Sequence, residues 1–386
     1  MYRVAAKSCV SWFIGVCIFV FLSAASPAAA QIWNWSDEYI EAAGGQSSSI
    51  AVDRQNNLHV VYRVPSGGYL RYAFRPAGAA RWFKMDLERD LGNFSTRISL
   101  DANDNPHVCY TPREIRYAKF DGHKWFSQIV DPGAGTVDYE CSIRVNSEGQ
   151  PMLAWYWPGG GFHYGVLRDG VWLALIMDGN GGDYAGKWNS MVLDAQGNPQ
   201  IAYSDFPAGE LRYAFNSGHA WTHSALDSQS STTPGGPKGM GVAMVLDANQ
   251  DPWISYYDEE SLFVMHRVSG KWVKQLVERL PAFRNWGWKQ FHSDIALDKN
   301  GNPHIVFESL RGLEHAWWNG SEWKVQIVLA PAIISSYFDN SMVMGSDGSI
   351  YLTYTDPLEH SLKLAIGRLA SDTQTGDKVA KTEKRP

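Results

Sequence analysis

Three observations predict an all-β fold: a seven-bladed β-propeller of four-stranded antiparallel blades, closed by its own N-terminal strand. The first is a unit that reads apolar–x–apolar–Asp–x–x–Gly–Asn–Pro–His–apolar–x–aromatic. It recurs at residues 50–62, 98–110, 143–155, 191–203, 244–256, 295–307 and 342–354. A period of about 40–50 residues marks propeller blades or a related array. The second is a tryptophan in fixed register after each of the first six units: Trp82, Trp125, Trp172, Trp221, Trp272 and Trp323. Each stands six residues before an acidic or apolar strand end. The third is an exception. The seventh unit has no tryptophan after it, and Trp35 stands alone ahead of the first. That places an N-terminal strand as the missing outer strand of the last blade.

Within a unit the alternation has period 2, which favours strand over helix. In the fourth repeat it predicts an inner strand at 189–193 and a turn at 194–198. A second strand follows at 199–203, a third at 211–215 and an outer strand at 221–226. The Asp-x-x-Gly-Asn turns have a local cause. Aspartate bonds its own backbone, and Gly and Asn tolerate positive φ. Asp53, Asp101, Asp194, Asp247 and Asp298 are therefore read as turn residues. His59, His107 and His304 share one repeat position, which a ring holds far apart, so they are not read as a metal cluster. The second-strand aromatics and outer-strand tryptophans are read as core between blades. Burying one such ring is worth at most about 4–6 kcal/mol.

Residues 1–30 have the pattern of a secretory signal peptide. Arg3 and Lys7 precede an apolar run, and Ala28, Ala29 and Ala30 form a small-residue cleavage site. The run is short for a spanning helix. The expected division is thus a leader at 1–30, a propeller at 31–370 and a disordered polar tail at 371–386, with a secreted or periplasmic location. Without the leader the formal charge moves from −6 to −8. That is a poor match to nucleic acid. No membrane span is expected after cleavage, and a monomer is. Cys109 and Cys141 lie in adjacent repeats, where they either oxidise on export or stay as small buried thiols. No metal-ligand set and no cofactor motif is present.

The Leu-Asp-x-x-Gly-Asn-Pro-His-Ile-x-Tyr units resemble the secreted bacterial seven-bladed propellers of the BNR/sialidase-like type, over residues 32–369. That resemblance implies the fold and a link to carbohydrate. The broad group includes sialidases, polysaccharide lyases such as ulvan lyases, and sugar-binding lectins. A complete Ser-x-Asp-x-Gly-x-Thr-Trp box is absent, and no catalytic residue carries over.

A site is expected where loops depart from the repeat, because repetition accounts for the rest. The longest departure, 278–294, brings Arg284, Trp286, Trp288, Lys289 and His292 together. Aromatic faces stack on sugar rings, and Arg or Lys pairs with carboxylate or sulfate. Nearby loops supply Tyr139, Glu140, Tyr184, Lys187, Trp188, Tyr337 and Asp339. One residue per blade is placed at the channel mouth, six before the turn residue: Ser47, Ser95, Glu140, Trp188, Gly241, His292 and Asp339. The loops between second and third strands add Arg63, Arg113, Arg311 and a repeated aspartate at 205, 258 and 356, read as turn caps. Arg63, Arg97, Arg113 and Arg311 are less regular and are candidates to clamp an acidic sugar.

Three functions follow. The first is carbohydrate binding at the mouth. The second is a polysaccharide lyase or glycosidase. Elimination needs a base, an acid and a cation beside the uronate carboxylate. His292 would be the base, Tyr337 or Tyr184 the acid, and Arg284 or Lys187 the cation. Hydrolysis would use Glu140 and Asp339. The third is a protein-interaction scaffold.

Overall fold

The computed structural model describes residues 32–89, 91–92, 95–133, 140–178, 185–206, 208–218, 220–228, 238–258, 261–280, 292–330 and 340–370. The sequences expected to be a leader and a tail lie outside them, as do the mouth-loop residues 134–139, 179–184, 281–291 and 331–339. The described residues form seven four-stranded antiparallel sheets, and no helix among them is long and apolar enough to cross a membrane. Blades are numbered here by their innermost strands, from Gln46–Val52 in blade 1 to Ser341–Met344 in blade 7.

Six blades are consecutive in sequence, and the seventh is not. Its order runs from Ser341–Met344 through Ile350–Asp356 and Ser361–Leu369 to the N-terminal strand Trp33–Glu41. Trp35 sits opposite Gly367. A Cβ on that glycine would lie 2.9 Å from the indole, so the ring needs the space.

The blade-to-blade core repeats one contact. A third-strand aromatic meets the outer-strand tryptophan of the next blade edge-on: Tyr72 with Trp125, Tyr117 with Trp172, Tyr164 with Trp221 and Tyr213 with Trp272, at 4.9–5.4 Å. Trp35 makes the equivalent contact with His315 of blade 6 at 5.5 Å. The orphan tryptophan therefore does what its register implied. The repeated histidines support this layer. His59 Nδ1 lies 2.7 Å from Tyr72 Oη, and His107 Nδ1 lies 2.6 Å from Tyr117 Oη. In blade 6 the partners are His304 and His315, at 3.0 Å, with Trp33 against both rings.

A second contact, to the second strand of the following blade, seals most junctions. The residue six after each tryptophan is the last or second-last of its strand. In five of the seven junctions it is a carboxylate that accepts from the second-strand ring of the following blade. Tyr62 donates to Glu41 at 3.1 Å, Trp155 to Asp131 at 3.0 Å, Tyr203 to Asp178 at 2.9 Å and Tyr256 to Asp227 at 2.8 Å; Tyr110 donates to Glu88. The two remaining junctions vary together. Phe307 has no donor, and Glu278 instead pairs with Arg311 at 3.0 Å. Leu329 is no acceptor, and Tyr354 turns to Asp37 at 2.9 Å.

The turn aspartates behave as their spacing required. Asp194 Oδ1 accepts from the N–H groups of Gln196 and Asn198, and Oδ2 accepts from the Asn198 amide. The fourth turn position has positive φ throughout: Asn56, Asp104, Gly149, Gly197, Gln250, Gly301 and Gly348. Glycine is the cheapest residue there. Cys109 and Cys141 form a disulfide joining blades 2 and 3 across 32 residues, which resolves the two readings of the pair.

Two outcomes test this account. Deleting residues 31–41 removes two buried or half-buried indoles and the Glu41 acceptor. The melting temperature should fall by on the order of 10 °C or more; an unchanged value would remove N-terminal closure. Burial also pulls His304 down to about 4 from the usual 6.5. The unfolded chain therefore takes up a proton that the folded one resists. This stabilisation is present above about pH 6.5 and is lost as the pH falls toward 4, a change of up to about 3 kcal/mol. Thermal melts from pH 7 to 4.5 should slope downward, and less steeply in His304→Asn.

Candidate functional site

The seven innermost strands enclose an axial channel of about 760 Å³. These strands expose one backbone edge to the channel, where an unpartnered N–H is costly. The repeat supplies an answer. Four residues before the turn, a short polar side chain accepts from the next blade's backbone. Ile98 N–H donates to Ser49 Oγ at 3.2 Å, Met244 N–H to Ser190 Oγ at 3.1 Å, and Ile50 N–H to Ser341 Oγ at 3.4 Å. In blade 6 the acceptor is Asp294, 2.8 Å from Met342 N–H.

Several predicted residues reach this channel. Glu140 and His292 line its mouth from blades 3 and 6, and both are half-buried. Arg97 lines it from blade 2. Lys187 is not among the lining residues; its ammonium lies 5.1 Å from the ring of Trp188. Arg63 is spent on architecture: it donates to Gln46 Oε1 at 2.6 Å and to Gly92 O at 3.0 Å, tying down the connection to blade 2. Arg284, Trp286, Trp288, Lys289, Tyr139, Tyr184, Tyr337 and Asp339 lie outside the described residues.

Trp188 differs from the sequence expectation in exposure. Only 6% of it is accessible, and it packs in the core between blades 4 and 5 beside Phe206. Its backbone explains this. Trp188 has φ 48°, and Ser47 and Gly241 at the same repeat position have φ 50° and 58°. The innermost strand bulges at this height and its register shifts. A bulky side chain in that region is strained. Glu140 Oε2 holds the turned N–H of Trp188 at 2.7 Å, so the carboxylate fixes the bulge from the neighbouring blade.

Sequence reasoning missed Arg144 and Asp294. Both line the channel. Burial pushes the Arg144 guanidinium below its usual value, with Arg97 adding to the shift and Asp294 opposing it. Burial pushes Asp294 up, while backbone N–H groups and the two arginines pull it back. The signal was a departure from the repeat. Two residues before the turn, the other blades carry Ala51, Ser99, Val192, Val245, Ala296 and Val343.

The repeated aspartates are turn or ion-pair residues. Asp205 accepts from Ala208 N–H, Asp356 from Leu358 N–H, and Asp258 pairs with Lys238. No group of three or more His, Cys, Asp or Glu among the described residues is placed to hold a metal ion.

Neither a protein-family model nor a curated protein sequence matches the chain. Solved structures do match in shape. Virginiamycin B lyase from Staphylococcus aureus aligns with TM-score 0.60 at 8% identity, over 88% of this chain and 100% of that one. A catalytically inactive form of that lyase with quinupristin aligns equally well at 11% identity. AofleA from Arthrobotrys oligospora aligns with TM-score 0.51 at 10% identity, over 78% of this chain and 91% of that one. At such identities the likeness is one of fold.

Replacing Glu140 with Ala removes the acceptor of the Trp188 N–H and leaves that donor unsatisfied in the core. A loss of about 1–3 kcal/mol is expected in denaturant unfolding, with a change in tryptophan emission. A wild-type midpoint would show that the bulge holds without it.

Proposed function

We propose that the protein is an exported propeller that binds extracellular carbohydrate at the mouth of its axial channel. One observation carries this reading. The residues that break the repeat on or directly before the innermost strands (Arg97, Glu140, Arg144, His292 and Asp294) all line the same channel. Sugar hydroxyls both donate and accept, and such a mixed wall answers both. Guanidinium groups further favour a carboxylate or sulfate substituent. The disulfide supports export, because such bonds persist in oxidising compartments. Kinship with the BNR/sialidase-like group belongs to this reading and rests on the repeat motif alone.

A second reading, cleavage of an acidic polysaccharide by elimination, is favoured by His292 standing on the channel wall with cationic side chains in the same cavity. An imidazole there can take a proton, and a guanidinium can offset the charge that develops on the uronate. Tyr337 and Tyr184 remain the candidate acids, and Arg284 and Lys187 the alternative cations.

The test is to incubate residues 31–386 with neutral, uronate and sulfated polysaccharides, reading binding by calorimetry and products by chromatography. Saturable binding of an acidic glycan without product is expected, weakened in His292→Ala. New oligosaccharides with unsaturated ends, abolished in His292→Ala, would move the assignment to a lyase. Absence of both binding and product would overturn the carbohydrate reading in favour of a protein-interaction scaffold.

A further inference from the structure

Deep in the channel, two cations replace small residues on adjacent blades. Arg97 stands four residues before its turn, where the other blades carry Ser, Ala or Asp. Arg144 stands two before its turn, where the others carry Ala, Ser or Val. Both side chains line the cavity and are half-buried.

Their hydrogen bonds leave most of each guanidinium uncommitted. Arg97 Nη1 donates to Thr96 O at 2.9 Å, and Arg144 Nη1 donates to Ile143 O at 2.7 Å. A guanidinium carries five N–H groups in a planar fork. Among the described residues no carboxylate lies within 4.0 Å of either group. Asp294, the nearest anion in electrostatic terms, comes from blade 6, across the channel. It is held to its own wall by Ile295 N–H at 2.9 Å, Met342 N–H at 2.8 Å and Ser341 Oγ at 3.3 Å. Glu140, nearer the mouth, is engaged with Trp188 N–H. Two like charges side by side in a half-buried space repel each other and lose hydration. An oxyanion with two or more free oxygens offers both forks the acceptors they lack.

We propose that Arg97 and Arg144 together form an oxyanion site on the propeller axis, one that takes a carboxylate or sulfate group. The group arrives either as a substituent of an acidic sugar or as a free anion. The sugar arm rests on the carbohydrate reading above, and the anion arm does not.

Calorimetry at constant ionic strength separates these. The probes are sodium glucuronate, sodium sulfate and glucose, titrated into the full chain without its first 30 residues. Glucuronate and sulfate should bind and glucose should not. Arg144→Gln should weaken both by about tenfold or more. Asp294→Asn removes the competing carboxylate and should tighten both severalfold. This opposite direction separates loss of the site from loss of the fold, which melting curves of each variant check independently. Sulfate binding without glucuronate binding, lost in Arg144→Gln, would support the site with a free anion as its occupant. Anion binding that neither variant changes, or no anion binding at all, would overturn it. Binding of a neutral glycan without any anion response would overturn this site and leave the carbohydrate reading standing.

Discussion

The fold depends on one junction repeated around a ring. An outer-strand tryptophan packs against a third-strand ring of the preceding blade. Six residues on, the same strand ends in a carboxylate that accepts from the following blade. One strand thus contacts blades on both sides, and its two contacts lie one strand length apart. A lone blade buries neither, so the unit of stability is the closed array. The N-terminal strand carries both devices, Trp35 toward blade 6 and Glu41 toward blade 1. It therefore joins the two ends of the chain as an ordinary outer strand rather than as an appended clasp. The junctions that lack one half of the pair, at Phe307 and Leu329, have rearranged the other half as well.

This economy decides where chemistry can sit. Second- and third-strand aromatics, turn aspartates and the repeated histidines are all engaged by architecture. A residue free of these duties must occupy a position where most blades carry something small. The inner face of the channel provides such positions, since serine there needs only to accept one backbone N–H from the next blade. Charges at Arg97, Arg144 and Asp294 stand out against that background.

The architecture was legible because its causes are local or periodic. Strand alternation, Asp-x-x-Gly turns and the misplaced Trp35 each state their role in a few residues. Strand limits ran short, as with the inner strand read at 189–193 and found at Ala185–Leu193. The bulge around Trp188 interrupts the alternation there, and no sequence rule announces it. At the same bulge Trp188 is 6% exposed and packs among core residues while still lining the channel. Arg144 stayed hidden for a different reason. Its meaning appears only when seven strands are placed in register and the other six residues are seen to be small. The mouth loops gave the richest list of candidates by composition, yet loop geometry follows from no period, and only Glu140, His292, Lys187 and Trp188 of that list fall within the described structure.

Structural likeness to virginiamycin B lyase at about a tenth identity extends over 88% of this chain and is a likeness of fold. A fold of this kind hosts unrelated chemistries, so the departures from its repeat carry more weight than the repeat. Arg97 makes the point in the most local terms. A serine at its place serves the wall by accepting from the next blade, as Ser49 does for Ile98. Arginine has no acceptor and cannot perform that service. The substitution therefore gives up a wall hydrogen bond and introduces a desolvated charge, two changes that each disfavour folding. Neither improves the ring, and the proposed oxyanion site is what accounts for an arginine at this position.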